Sequence, residues 1–169
     1  MPQPPRFPLI DGFEFAAAGE QLRGTWPVND FPRLRDALYD DQGTVTYELR
    51  GLRDLQGRPG LALRVTGRLR VACRRCLEAV DVRLDEDSRL WLARTQAEID
   101  ALPVAAEGPD GIVAGREMPV RDLVEDEVLL ALPYAPRHAE CPARDDAATG
   151  TRQSPFAGLR GLLRGRQRH

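Results

Sequence analysis

The most regular alternation of apolar and polar positions in the chain runs from Leu61 to Leu84. Leu61, Leu63, Val65, Leu69, Val71 and Cys73 share one phase; Arg64, Thr66, Arg68 and Arg70 share the other. Side chains of a strand alternate between faces, so the first set predicts a core face and the second a row of guanidinium groups in solvent. Beyond Cys73-Arg74-Arg75-Cys76 the alternation resumes, with Val80, Val82 and Leu84 inward and Asp81, Arg83 and Asp85 outward. This pattern predicts a β-hairpin whose tip carries a thiol pair. Thr44 to Leu52, with Val45, Tyr47 and Leu49 inward, predicts a preceding strand, and residues 56–60 (QGRPG) the turn between. Residues 44–84 thus read as an antiparallel meander. Arg89 to Ala93 extends the sheet after a bulge at Asp85-Glu86-Asp87.

Helical periodicity is clearest after Pro119, through Leu132. Val120, Leu123, Val124 and Val128 fall on one face, with Asp122, Glu125 and Asp126 mostly on another, solvated one. Pro133 and Pro136 end that helix. Phe13 to Glu20 predicts a short helical turn closed by Gly19, and Leu22 to Trp26 a short strand. A helix capped by Asn29 or Asp30, with Pro32 in its first turn, is expected through Leu38. Residues 95–115 read as a long loop with a short strand at Ile112-Val113. The expected architecture is α+β: one domain over residues 1–150, an antiparallel meander packed against a helix. Residues 151–169 are expected to be a flexible basic C-terminal tail, with a weak amphipathic helix over Pro155 to Arg164.

Composition bounds the partners. The chain has 169 residues, 30% of them charged and 42% hydrophobic, as in a globular protein. Net charge is -2, so the whole molecule does not advertise a polyanion partner. Its distribution does: residues 55–77 hold six arginines and no acid, and residues 151–169 hold five arginines and no acid. Lysine is absent, so the basic charge rests on arginine, the planar bidentate donor suited to phosphate. The N-terminal residues lack the pattern of a signal peptide, and no run approaches the roughly 20 apolar residues of a membrane helix. A cytoplasmic location without membrane association is therefore expected.

Candidate chemistry concentrates at the cysteines. Cys73-x-x-Cys76 can present two thiolates to one tetrahedral ion, and His138-x-x-Cys141 supplies the other two ligands of a Cys3His structural zinc set. Such a site would clip the hairpin tip to the segment after the acidic helix. The competing readings are idle thiols, or a redox pair, which would need the helix N-terminus that this turn lacks. Arg64, Arg68, Arg70, Arg74 and Arg75 can contact successive RNA phosphates, or pair with Glu48, Asp81 and Asp85 across the strands. The acidic helix can serve a protein partner. No phosphate loop or nucleophile–base set points to an enzyme.

Gly67 to Glu78 (GRLRVACRRCLE) resembles the signature of the YceD family, the bacterial large ribosomal RNA subunit accumulation proteins. Leu123 to Pro133 (LVEDEVLLALP), followed by His138 and Cys141, resembles that family too, as does Ser154-Pro155-Phe156-Ala157-Gly158-Leu159 before the basic end. Some relatives have a second C-x-x-C where this chain has His138. The resemblance implies a non-enzymatic role in synthesis, processing or stability of 23S rRNA, with 23S rRNA or a pre-50S particle as partner. An adaptor recruiting a ribosomal protein or a ribonuclease, without touching RNA, is the alternative.

Overall fold

The structure, a computed structural model, describes residues 7–101 and 110–141. The chain begins with β1 (Leu9–Ile10) and α1 (Gly12–Ala18), where Asp11 accepts from the Phe13 and Glu14 N–H groups. Gly19 closes that helix at φ 64°, a left-handed conformation that glycine enters without Cβ cost. Strands β2 (Gln21–Pro27), β3 (Thr44–Arg53), β4 (Pro59–Ala72) and β5 (Ala79–Ala93) follow. Next come α2 (Gln96–Asp100), β6 (Asp110–Val113), β7 (Met118–Pro119) and α3 (Val120–Ala131). Strands β2 to β6 form a five-stranded sheet in sequence order, antiparallel except for the parallel β5–β6 pair. The short β1 and β7 pair separately.

One face of the sheet is the core. Leu49, Leu61, Leu63 and Val65 are completely buried, and Val120, Val124 and Val128 of α3 are buried with them. Each such side chain contributes about 1.5–3 kcal/mol by leaving water. Trp26 stacks on Tyr47 across β2–β3, ring centroids 4.4 Å apart. Gly24 makes room for that stack, since a Cβ there would lie 2.8 Å from the Tyr47 ring. The α+β architecture and the inward set of the hairpin agree with the sequence pattern.

Four local expectations need correction. The β4–β5 register runs unbroken from Gly60 opposite Trp91 to Ala72 opposite Ala79, so no bulge forms at Asp85-Glu86-Asp87. Asp85 and Asp87 stay in register because they bind Arg64 on the neighbouring strand. Within the expected loop at 95–115, the described residues include the short α2, capped by Thr95, and β6, which takes in the expected strand at Ile112-Val113. The helix expected through Leu38 is only a 3-10 turn at Val28–Asp30 followed by successive turns. Its continuation fails because Leu38 bridges Val71 and the Tyr39 N–H donates to the Arg70 carbonyl, drawing the chain onto β4.

The fourth correction concerns Glu125, which is buried rather than solvated. Its carboxylate accepts from the Arg33 N–H at 2.5 Å, the Leu34 N–H at 3.2 Å and Arg33 Nε at 2.9 Å. Arg33 also binds Asp126. These bonds pin the segment with buried Phe31 and Leu34 to α3. The helix predicted for residues 155–164 and the flexible tail lie outside the described residues.

Candidate metal centre and arginine face

The hairpin tip is a knuckle built by local backbone bonds. The Cys73 N–H donates to the Glu78 carbonyl at 2.8 Å, and the Leu77 N–H donates to the Cys73 carbonyl at 2.9 Å. Leu77 has φ 67°, which turns the chain back into β5. The Arg75 N–H points at Cys73 Sγ, 3.4 Å away. A second link holds the segment after α3 against this tip: the Arg74 N–H donates to the Pro136 carbonyl at 2.9 Å.

That link delivers the two downstream donors. One ligand atom each of Cys73, Cys76, His138 and Cys141 all lie within 4.8 Å of one another. Cys73 Sγ is 3.7 Å from Cys141 Sγ, and Cys76 Sγ is 3.5 Å from His138 Nδ1. An ion held about 2.3 Å from thiolates and about 2.1 Å from an imidazole sets tetrahedral edges of about 3.8 Å and about 3.6 Å, which these separations match. The other ring nitrogen is oriented as well. His138 Nε2 lies 2.8 Å from the Ala79 carbonyl, an acceptor that assigns the proton to Nε2 in a neutral ring and leaves Nδ1 free as ligand. None of the three cysteines is in a disulfide.

Charge prepares the same cluster. The Cys76 backbone N–H, followed by that of Arg75, holds the Cys73 thiol down to about 5 against the opposing effect of burial. Burial, then the neighbouring Cys76 and Cys73 side chains, push Cys141 up to about 11. The Ala79 carbonyl and then Cys73 raise His138 above its ordinary value. An arriving divalent cation would displace the remaining protons, as thiolate sites require. The four residues singled out from the sequence are the four that cluster here; the Ala79 carbonyl, a backbone group, has no sequence signal.

The arginine row divides. Arg64 is held by Asp85 at 2.6 Å and Asp87 at 3.1 Å, and Arg70 by Asp40 at 2.6 Å. Those two guanidinium groups are therefore paired within the molecule, Arg64 with Asp85 as the cross-strand alternative had it, and do not stand free as a ladder. Asp40 comes from the loop that runs beside β4, not from the strand acids weighed in the sequence. Arg68, Arg74 and Arg75 are exposed and have no carboxylate partner among the described residues. Arg83, not singled out from the sequence, stands directly opposite Arg68.

No curated protein and no solved structure matches the chain. A family model does, described as large ribosomal RNA subunit accumulation protein YceD, over residues 61–163. The match begins near the start of β4 and covers the knuckle, α3, His138 and Cys141. The chain belongs to the YceD family of large ribosomal RNA subunit accumulation proteins.

Proposed function

We propose that this protein is a non-enzymatic factor of the cytoplasm that supports 23S rRNA during assembly of the large ribosomal subunit, by holding the RNA directly. A zinc ion bound by Cys73, Cys76, His138 and Cys141 fixes the hairpin tip to the segment after α3. The borderline-soft ion with a Cys3His donor set favours zinc over the oxygen-loving cations. The ion's role is structural: four protein donors fill a tetrahedron and leave no open position for substrate. Residues 1–150 act as one domain, and the arginines of residues 151–169 add to the polyanion-binding charge.

The observation that carries direct RNA contact is the exposure of Arg68, Arg74 and Arg75 on the hairpin, each without a carboxylate partner among the described residues. Arg64 and Arg70 serve the scaffold in this reading. The adaptor alternative finds less support in α3, because Glu125 is buried and Asp126 is bound by Arg33. Crosslinking in cells separates the two. Direct contact yields 23S rRNA fragments on the protein, lost when Arg68, Arg74 and Arg75 are all alanine. Capture of a ribosomal protein or ribonuclease with no RNA crosslink would overturn it.

A further inference from the structure

The outer face of the sheet is arranged in cross-strand rows, and one row breaks the pattern. Arg23, Glu48, Arg64 and Asp87 form a row of alternating charge, and Arg70 stands opposite Asp81. Between them lies Pro27, Thr44, Arg68 and Arg83. Its two cations face one another directly, an arrangement that costs a sheet stability instead of adding to it. Among the described residues Arg83 reaches only Asp85, at 3.9 Å, and Asp85 is already bound to Arg64 at 2.6 Å. Arg68 has no acid at all among the described residues.

The surroundings supply neutral donors. Thr25 and Thr46 satisfy each other's hydroxyls at 2.9 Å. The hydroxyls of Thr44 and Thr66, which flank Arg68, make no side-chain hydrogen bond among the described residues. These groups line an open notch of about 420 Å³ bounded by Gly43, Thr44, Thr66, Arg68, Arg83 and Asp85. The rim is held in place at Gly43, where a Cβ would lie 2.5 Å from the Arg68 carbonyl. Its φ of 127° is likewise open to glycine.

We propose that Arg68 and Arg83, with the Thr44 and Thr66 hydroxyls, form a binding site for one phosphate of a nucleic-acid backbone. Two guanidinium forks around a phosphate replace mutual repulsion with charge-assisted bonds, and the threonines donate to the remaining oxygens. The identity of the ligand as RNA rests on the function proposed above; the anion site itself does not. Arg74 and Arg75 lie in the turn beyond Ala72, the end of β4, which is itself about 13 Å along the strand from Arg68 at about 3.3 Å per residue, so the two patches can be altered independently.

The test titrates full-length, metal-loaded protein with a 23S rRNA fragment across a salt series and, separately, with tripolyphosphate followed by amide NMR. Replacing Arg68 and Arg83 together by Ala should lower affinity about tenfold and the log–log salt slope by about one. Arg83→Glu should abolish the tripolyphosphate response while leaving thermal stability equal or higher, because the introduced carboxylate would pair with Arg68. Unchanged affinity and slope in the double variant, with a loss in Arg74→Ala/Arg75→Ala, would overturn the site and leave RNA binding standing. Should wild type bind no RNA, the function proposed above fails and tripolyphosphate decides. Shifts at Thr44, Thr66, Arg68 and Arg83 that vanish in the double variant support the anion site, and their absence in wild type overturns it.

Discussion

Replacing Glu125 by Ala removes a carboxylate that no sequence pattern marks as structural. Two backbone N–H groups, of Arg33 and Leu34, and the Arg33 Nε–H lose their acceptor, while the guanidinium keeps Asp126. Leu34 is fully buried, so its N–H has no ready water to replace the carboxylate. Arg33 is 48% exposed and can rehydrate, so the ion pair itself adds little to the loss. An unsatisfied buried N–H costs about 1–3 kcal/mol, and removing the side chain's packing adds to this. The expected destabilisation is therefore about 2–4 kcal/mol, with Gln milder because its amide oxygen still serves one backbone N–H. Urea unfolding of the metal-loaded protein measures it, with an unchanged m-value expected if only stability changes. RNA affinity of the folded variant should equal wild type. A cost below about 0.5 kcal/mol for Glu125→Ala, typical of a surface site, would refute the pinning role.

Other consequences follow from the same structure. Leu77→Gly should stabilise slightly, by about 0.5 kcal/mol: relief of left-handed strain, about 1–2 kcal/mol, exceeds the unfolded-state entropy glycine adds. Thermal denaturation checks this, and a loss above about 1 kcal/mol would show that the exposed side chain packs. Burial raises the Tyr47 phenol above its ordinary value, so the unfolded chain ionises first. That contribution is intact below about pH 10 and is lost as pH rises through the folded value; Tyr47→Phe should blunt the alkaline decline in stability. Chelation should speed proteolysis at residues 133–141 and the hairpin tip while sparing the sheet, read by mass spectrometry of the fragments. Uniform digestion of the whole chain, or none, would argue against a local clip.

The hairpin was legible because Leu61 to Leu84 alternates without ambiguity, and the structure keeps that phase through Leu69, Val71 and Cys73. The four metal-ligating candidates were legible from spacing within each pair, although only the fold brings the pairs together. What stayed hidden depends on long-range partners. Glu125 reads as one more acid on a charged helix face, and its burial follows from two backbone N–H groups about ninety positions away. The Arg64–Asp87 and Arg70–Asp40 pairs were obscured for different reasons: the first needs the unbroken register, and the second a loop that abandons its helix for β4. Arg83 became visible only when register set it against Arg68.

In the proposed reading one ion ties the hairpin tip to the segment beyond α3. Metal analysis of wild-type protein purified without chelator tests it most directly, alongside Cys141→Ser and His138→Ala. Wild type should carry about one zinc per chain and show a strong thiolate charge-transfer band on cobalt substitution, and both variants should lose the metal. Folded wild-type protein that carries no metal and takes up none from added zinc would contradict it.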